Sequence, residues 1–261
     1  MDANGAAVLL ESAQDHKRAF DNDRGPNTGG MGSYSPAAGV YTAEIAELAR
    51  REVLERTIEG MRKRGSPYEG ILFGGLMVAP PVAPGGGEGG EGEVVGEGPG
   101  GPAGGAPAAK LLEWNVRFGD PECQSVLMRM KSDLLPLLWL SAEGRLDEAD
   151  APTWTNEVAV TVVLAARGYP ADYARGGVIA LPDPSTLPAN VKIFHAGTAT
   201  RNDDGALVAA GGRVLGVTAL GATATTAREA AYRVVDAIEW EDKQFRRDIA
   251  WRAVEREGGG A

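Results

Sequence analysis

Leu111–Gln124 reads LLEWNVRFGDPECQ, and how this stretch is read decides how the rest of the chain is understood. It opens on the apolar pair Leu111-Leu112, with Ala108, Ala109 and Lys110 ahead of it, and is expected to be a strand. Side chains two apart leave the same face of an extended strand, so Glu113, Asn115 and Arg117 are expected to line up. The pattern changes at Gly119-Asp120-Pro121-Glu122. Asp before Pro and Glu, ahead of an apolar-periodic segment, predicts a helix start with Asp120 as N-cap and Pro121 at N1. A carboxylate, an amide oxygen and a guanidinium thus share one strand face. Hard oxygen ligands suit Mg²⁺ or Mn²⁺, and a guanidinium suits phosphate. A plain solvated strand face accounts for the same alternation, so the pattern alone leaves both readings open.

The 261 residues are enough for one large domain or two smaller ones. A hydrophobic content of 43% and a charged content of 24% are ordinary for a globular protein. The net charge of −10 argues against a nucleic-acid surface and against anionic membranes. Cys123 is the only cysteine, which excludes an intrachain disulfide and a cysteine-based zinc site. His16 and His195 are the only histidines, so a multi-histidine metal site is not expected. No apolar run approaches the roughly 18 residues needed to cross a bilayer, and Met1–Gly5 has neither the basic nor the apolar region of a signal peptide.

Toward the N-terminus, Ala6–Leu10 is expected to be a short strand, followed by the polar cluster Gln14-Asp15-His16-Lys17-Arg18. Pro26–Ser33 (PNTGGMGS) is a glycine-rich loop. Its glycines allow a close approach of backbone to ligand, and such a loop can point several N–H groups at an anion. A long surface connection has the same composition. Thr42–Arg64 is expected to be a helix capped by Thr42, with Arg62, Lys63 and Arg64 in its last turn. Tyr68–Val78 is expected to be a strand. Residues 80–109 hold 12 Gly and 6 Pro in 30 positions, too little apolar surface to offset the entropy of ordering, so this tract is expected to be disordered. The strands on either side are expected to pair as a hairpin, with the tract as its lengthened loop.

Pro121 to about Leu140 is expected to be a helix with Leu127, Met130, Leu134 and Leu137 on a core face. A boundary is placed in the polar segment near Glu143–Thr155. Beyond it, Glu157–Ala166, Val191–Ala196 and Gly212–Leu220 read as strands. Thr226–Trp240 reads as a helix with a capping box at Thr226 and Glu229, and Asp242–Val254 as a closing helix. Glu122 is read as a helix-start acid without a chemical role. Cys123 is read as a buried, inert thiol, and His195 as a hydrogen-bonded structural residue.

Several blocks together resemble the phosphoribosylamine–glycine ligase (glycinamide ribonucleotide synthetase) family: Gln14–Arg18 (QDHKR), Gly25–Gly32 (GPNTGGMG), Arg117–Gln124 (RFGDPECQ), Phe194–Thr198 (FHAGT), Gly211–Leu215 (GGRVL) and Asp248–Ala253 (DIAWRA). The blocks keep the family's order from about Leu9 to Arg256. The resemblance implies an α+β fold: the C-terminal half of an ATP-grasp domain over residues 1–145, followed by a small α+β domain over 150–261. It implies ligation of glycine to 5-phosphoribosylamine with ATP as co-substrate, through a glycyl phosphate, with Mg²⁺ or Mn²⁺. By position it implies Glu113 and Asn115 as metal ligands and Arg117 as the residue holding phosphate or the acyl phosphate. It implies Asn27, Thr28, Gly29, Gly30, Met31 and Gly32 as lining the acceptor-substrate site, facing the Leu111–Gln124 stretch, with Asp15 and Lys17 beside them.

The resemblance covers only the family's C-terminal part, and the tract at 80–109 is not part of the family pattern. The residues expected to grip most of the ATP, in the missing N-terminal half, are then supplied in cis or in trans. The chain is expected to be a fragment or a split-enzyme subunit with little or no ligase activity alone. The alternative is a non-catalytic remnant that serves as an assembly module. The RFGDPE and PNTGGMG blocks together disfavour another carboxylate–amine ligase. The expected compartment is the cytoplasm or an organellar stroma.

Overall fold

The computed structural model describes residues 1–79 and 108–259. In chain order, the first strands are β1 (Gln14–Asp15), β2 (Arg18–Phe20), β3 (Arg24–Asn27) and β4 (Gly32–Ser35). Ala6–Leu10, expected as a strand, has no regular structure. Helix α1 (Ala43–Leu48) continues through a π-helical stretch (Ala49–Glu55) into α2 (Arg56–Lys63). Strands β5 (Phe73–Ala79) and β6 (Ala108–Asn115) follow, then α3 (Glu122–Arg129) and α4 (Leu135–Ala142). The remainder is β7 (Val158–Ala166), β8 (Val191–His195), β9 (Thr198–Thr200), β10 (Leu207–Ala209), β11 (Arg213–Gly221), α5 (Ala224–Ala237), β12 (Lys243–Gln244) and α6 (Trp251–Gly258). None of the described helices is long and apolar enough to cross a membrane.

These elements form two compact units. One comprises residues 1–7, 39–79, 108–117 and 140–147; the other comprises 8–38, 118–139 and 148–259. The division does not follow the boundary expected between residues 145 and 150. The reason is pairing: β4, from the early part of the chain, adds to β7 in register Gly32↔Val162 to Ser35↔Ala159.

In the first unit Thr42 caps α1 as expected, its hydroxyl accepting from Ile45 N–H. Strands β5 and β6 pair antiparallel, the hairpin that the flanking sequence predicts. The disordered tract expected at 80–109 lies outside the described residues, except for 108 and 109, which begin β6. Gly74 faces Trp114 across the hairpin. A Cβ on Gly74 would stand 2.7 Å from the indole ring, so the glycine makes room for the tryptophan. The indole N–H donates to Thr57 Oγ1 (3.1 Å), fixing the hairpin against the helical segment.

The second unit is an antiparallel sheet in the order β1-β4-β7-β11-β8, with β12 on the end of β7. Its central strand is VAVTVVLAA, buried from Ala159 to Ala166. Because side chains alternate, Val160, Val162 and Leu164 share one face. They belong to the same core cluster as Ala227, Ala230, Ala231, Val234 and Val235 of α5. Thr161 lies on the other face, where α3 packs. There Ser33, Ser125, Thr161 and Thr218 are all fully buried and joined hydroxyl to hydroxyl: Ser33–Ser125 2.6 Å, Ser125–Thr161 2.8 Å, Thr161–Thr218 2.9 Å. Ser33 also donates to the Pro121 carbonyl (3.0 Å), tying the start of α3 to the sheet.

Several expected element boundaries are corrected here. The helix expected from Pro121 to Leu140 is two helices, because Met130 leaves the helical region and bridges to Trp154. The side chains that α3 buries are Glu122, Ser125, Val126 and Arg129. Leu127, Met130 and Leu134 are only half-buried, and Leu137 alone of the expected stripe is in the core. Asp120 is not the N-cap; Pro121 holds that position without a side-chain hydrogen bond, and the Asp120 carboxylate is drawn to Arg213 instead (2.9 Å). The capping box of α5 lies at Thr223 and Thr226, one turn earlier than expected. Its first N–H groups are also met by the Glu257 carboxylate, from α6. The closing helix starts at Trp251, not Asp242, because the preceding segment is committed to an ion-pair strap.

That strap centres on Arg246, whose side chain is 0% exposed. It donates to Asp23 Oδ1 (2.9 Å), to both Asp248 oxygens (2.7 Å each) and to the Arg18 carbonyl (3.2 Å). Asp23 also pairs with Arg252. Removing one partner of a buried pair leaves the others uncompensated, so Arg246→Ala is expected to cost about 3–5 kcal/mol. Urea unfolding of the two chains measures it; a loss within error of an exposed substitution would show that the strap carries no stability.

Candidate functional site

In the first unit, β6 carries the expected row. Gly75 pairs with Glu113 but Leu76 pairs with Leu111, so Leu112 is one residue in excess and the strand bulges there. Lys110 and Leu112 are exposed before the bulge, whereas after it Glu113 is exposed and Trp114 turns inward. A bulge of this kind re-aims the side chains that follow it. Past it, Asn115 Nδ2 donates to Glu113 Oε1 (3.2 Å), and Arg117 Nη2 donates to Asn115 Oδ1 (3.3 Å). The three side chains named from the sequence therefore touch in series, Glu113 and Asn115 from the strand and Arg117 from the bend that follows it.

Glu113 and Asn115 supply a carboxylate and an amide oxygen, donor types that a small hard cation takes; here Glu113 Oε1 accepts from Asn115 and Asn115 Oδ1 from Arg117. Among the described residues no group of three or more His, Cys, Asp or Glu is placed to hold a metal. An ion here would take one carboxylate and one amide oxygen and complete its shell from water and phosphate, the usual habit of Mg²⁺.

In the second unit the loop from Asn27 to Gly32 packs beside the Asp120–Glu122 turn. Gly30 (φ +114°) lies so close to Pro121 that a Cβ would stand 2.5 Å from its ring. Of the two readings left open for this loop, a cradle of N–H groups for an anion is disfavoured from Thr28 to Met31, whose amides are already bonded within the protein. Thr28 N–H donates to the Lys17 carbonyl (2.7 Å), Gly29 N–H to Tyr169 Oη (3.0 Å), Gly30 N–H to Thr28 Oγ1 (2.9 Å) and Met31 N–H to the His16 carbonyl (2.8 Å). The loop's amides are spent on holding its own shape, a consequence of the rule that buried backbone groups are paired. What Asn27 presents outward is its side chain, on an exposed residue. Met31 is fully buried and serves the core.

Asp15 sits in β1 opposite Ser33 of β4 and pairs with Lys17 Nζ (2.7 Å). Glu122, given no role from the sequence, is 5% exposed. Burial, and then the Asp15 carboxylate, push its carboxyl up to about 7. His16 is 1% exposed and accepts from Ala250 N–H at Nε2 (3.0 Å). Burial, and then Arg246 and Arg252, hold it down to about 3. Burial raises the Cys123 thiol, followed by the charges of Asp120 and Glu122, which agrees with an inert cysteine. His195 is exposed, its Nδ1 within 3.1 Å of Thr198 Oγ1. Arg213, from the start of β11, and Tyr169, from the turn after β7, reach the loop and have no role assigned from the sequence. Arg213 lies in a noted motif, but nothing local shows what its side chain meets.

His16 and Glu122 act oppositely on stability. Below pH 6.5 the unfolded chain protonates His16 and the native chain does not, so this term falls by about 2 kcal/mol between pH 7 and 5. Glu122 is protonated in the native state first, so its term rises by about 2 kcal/mol over the same interval. His16→Gln should gain stability relative to wild type as pH falls from 7 to 5, and Glu122→Gln should lose it. Urea midpoints at three pH values decide; parallel curves for all three chains would rule out both assignments.

Comparison with known proteins divides the chain in sequence order, across the interleaved compact units. The model of the phosphoribosylglycinamide synthetase ATP-grasp (A) domain matches residues 1–84, and that of the phosphoribosylglycinamide synthetase C domain matches residues 159–252. Phosphoribosylamine–glycine ligase of Rhizobium meliloti is 49% identical over 256 residues, covering 97% of this chain and 53% of the relative. The crystal structure of phosphoribosylamine–glycine ligase from Thermotoga maritima superposes with a TM-score of 0.72 at 34% identity, over 92% of this chain and 51% of that one. Biotin carboxylase from Campylobacter jejuni shares the fold alone, with a TM-score of 0.51 at 13% identity over 93% of this chain and 45% of its own. This chain spans about half the length of the relatives it matches. With α+β architecture and the two domain models matched in order, the chain belongs to the phosphoribosylglycinamide synthetase family, of which it carries the later ATP-grasp part and the C domain.

Proposed function

We propose that this chain supplies the metal-binding and acceptor-substrate part of a phosphoribosylamine–glycine ligase. The observation that carries the reading is the row of Glu113 and Asn115 on β6 and Arg117 just past its end, bonded side chain to side chain, in a chain 49% identical to a phosphoribosylamine–glycine ligase. In the proposed reaction the γ-phosphoryl group of ATP passes to a glycine carboxylate oxygen, giving glycyl phosphate and ADP. The amine of 5-phosphoribosylamine then attacks the acyl carbon, the C–O bond to phosphate breaks, and the amine gives up a proton as the amide forms. The products are glycinamide ribonucleotide, ADP and phosphate.

The protein's tasks in such a reaction are placement and charge stabilisation. Mg²⁺ or Mn²⁺ held by Glu113 and Asn115 would neutralise charge on the phosphates during transfer. Arg117 presents a planar fork suited to two phosphoryl oxygens, which a lysine cannot reproduce. In the other unit Asn27 offers a side-chain amide to sugar hydroxyls, while Thr28, Gly29, Gly30, Met31 and Gly32 hold the loop that carries it. Asp15, Lys17 and Glu122 lie beside that loop, two carboxyls and one ammonium. The missing half of the site, which would grip adenine and the remaining phosphates, is a partner segment in cis or in trans. The second reading, a non-catalytic assembly module, is favoured by no feature of the site.

The test is to combine the chain with the separately produced preceding half of the Rhizobium meliloti relative. Glycinamide ribonucleotide is then measured from glycine, phosphoribosylamine and Mg-ATP. Glu113→Ala is expected to slow the reaction on the order of 100-fold, and Arg117→Lys to slow it as well. Wild-type rates for Glu113→Ala at ordinary Mg²⁺ would remove Glu113 from the site, and no product from any combination would favour the assembly module.

A further inference from the structure

The Gly211-Gly212-Arg213 motif has no part in the chemistry above, yet its arginine bonds the loop from far along the chain. Arg213 opens β11, and its side chain, 22% exposed, crosses to two segments distant in sequence. Nη1 donates to the Gly29 carbonyl (2.8 Å), to the Asp120 carbonyl (2.7 Å) and, at longer range, to the Gly30 carbonyl (3.4 Å). Nη2 donates to Asp120 Oδ2 (2.9 Å). The guanidinium occupies the space a side chain on Gly29 would need: a Cβ there would stand 2.9 Å from Cζ. Tyr169 holds the other polar group of the same residue, its hydroxyl accepting from Gly29 N–H (3.0 Å). The tyrosine ring is seated in turn on Gly212, where a Cβ would lie 2.5 Å from a ring carbon.

Both backbone polar groups of Gly29 are therefore engaged by side chains from the part of the chain matched by the C-domain model. One planar cation joins the loop to the Asp120 turn through carbonyl and carboxylate oxygens on both. An ammonium, as a point charge on a flexible stem, cannot span that set. We propose that Arg213, assisted by Tyr169, is a positioning residue through which the C domain sets the geometry of the Asn27–Gly32 loop, and that it acts on the acceptor substrate through the loop without touching it. The proposal rests on the reading of this loop as part of the acceptor site.

The test uses the full chain, with ribose 5-phosphate as the probe for a phosphoribosyl acceptor. Amide hydrogen exchange reports the loop through Gly30 and Met31 and the sheet through Val160–Leu164. In Arg213→Lys, loop exchange is expected to accelerate about tenfold while sheet exchange stays unchanged, and ribose 5-phosphate affinity to fall about tenfold. Tyr169→Phe, which removes only the hydroxyl, should move both readouts the same way by less, and it serves if the arginine variant does not fold. Unchanged loop exchange with weakened binding would mean that Arg213 meets the ligand itself and would overturn the proposal. Accelerated exchange with unchanged binding, or no change in either, would overturn it too. If the wild-type chain does not bind ribose 5-phosphate while the loop still loosens in the variant, the acceptor reading fails and the clamp stands.

Discussion

Thr161 sits fully buried in the middle of the central strand, and its hydroxyl joins Ser125 of α3 to Thr218 of β11. The constraint it imposes is directional. An apolar contact allows a helix to slide over a sheet, but a chain of hydroxyls does not, because each buried oxygen left alone costs about 1–3 kcal/mol. With Ser33 at its other end, donating to the Pro121 carbonyl, the chain of hydroxyls fixes where α3 begins. The positions of Asp120, Glu122 and the glycine loop against Pro121 all follow from that one anchor. The sheet thus uses its two faces differently: the α5 side supplies burial, and the α3 side supplies registration.

Charge is used in a similar way. The chain carries an excess of ten negative charges, yet several of its arginines work inside the fold. Arg129 is 5% exposed and spends its fork on the Thr155 and Glu157 carbonyls and Ser35 Oγ. Arg246 stitches the β2–β3 hairpin to the C-terminal strap. Arg213 does so for two loops. In each case one planar group collects oxygens from segments tens to hundreds of residues apart, which suits an α+β unit assembled from three separate stretches of chain.

Much of this was legible in the sequence because it is local. The Val-rich run at 158–166, the strand at 213–221, the β5–β6 hairpin and the Thr42 cap follow from period and capping chemistry. So does the common face of Glu113, Asn115 and Arg117, which depends only on alternation after Leu112. What was not legible depends on partners far away. Helix α3 stops at Arg129 because residue 130 bridges to residue 154. Asp120 gives up a cap for an arginine 93 residues on. Glu122 reads as an ordinary first-turn acid until Asp15 is placed beside it, and the loop reads as an anion cradle until its N–H groups are followed to their acceptors. Glycines announce a close approach but do not say of what: at Gly29 it is a guanidinium, at Gly74 an indole.

The bulge at Leu112 carries an implication for how such chains vary. Leu76 pairs with Leu111 and the next residue of β5, Gly75, pairs with Glu113, so the ladder on either side is in register and Leu112 is simply absorbed. Loss of Leu112 alone would leave Glu113 opposite Gly75. The hairpin therefore tolerates a change of one residue at this point in a way that the rest of β6 does not: anywhere else, an unabsorbed insertion or deletion shifts the pairing by one and turns every later side chain to the other face. Two chains that differ in length by one residue between Lys110 and Glu113 can thus keep the same row in the same place.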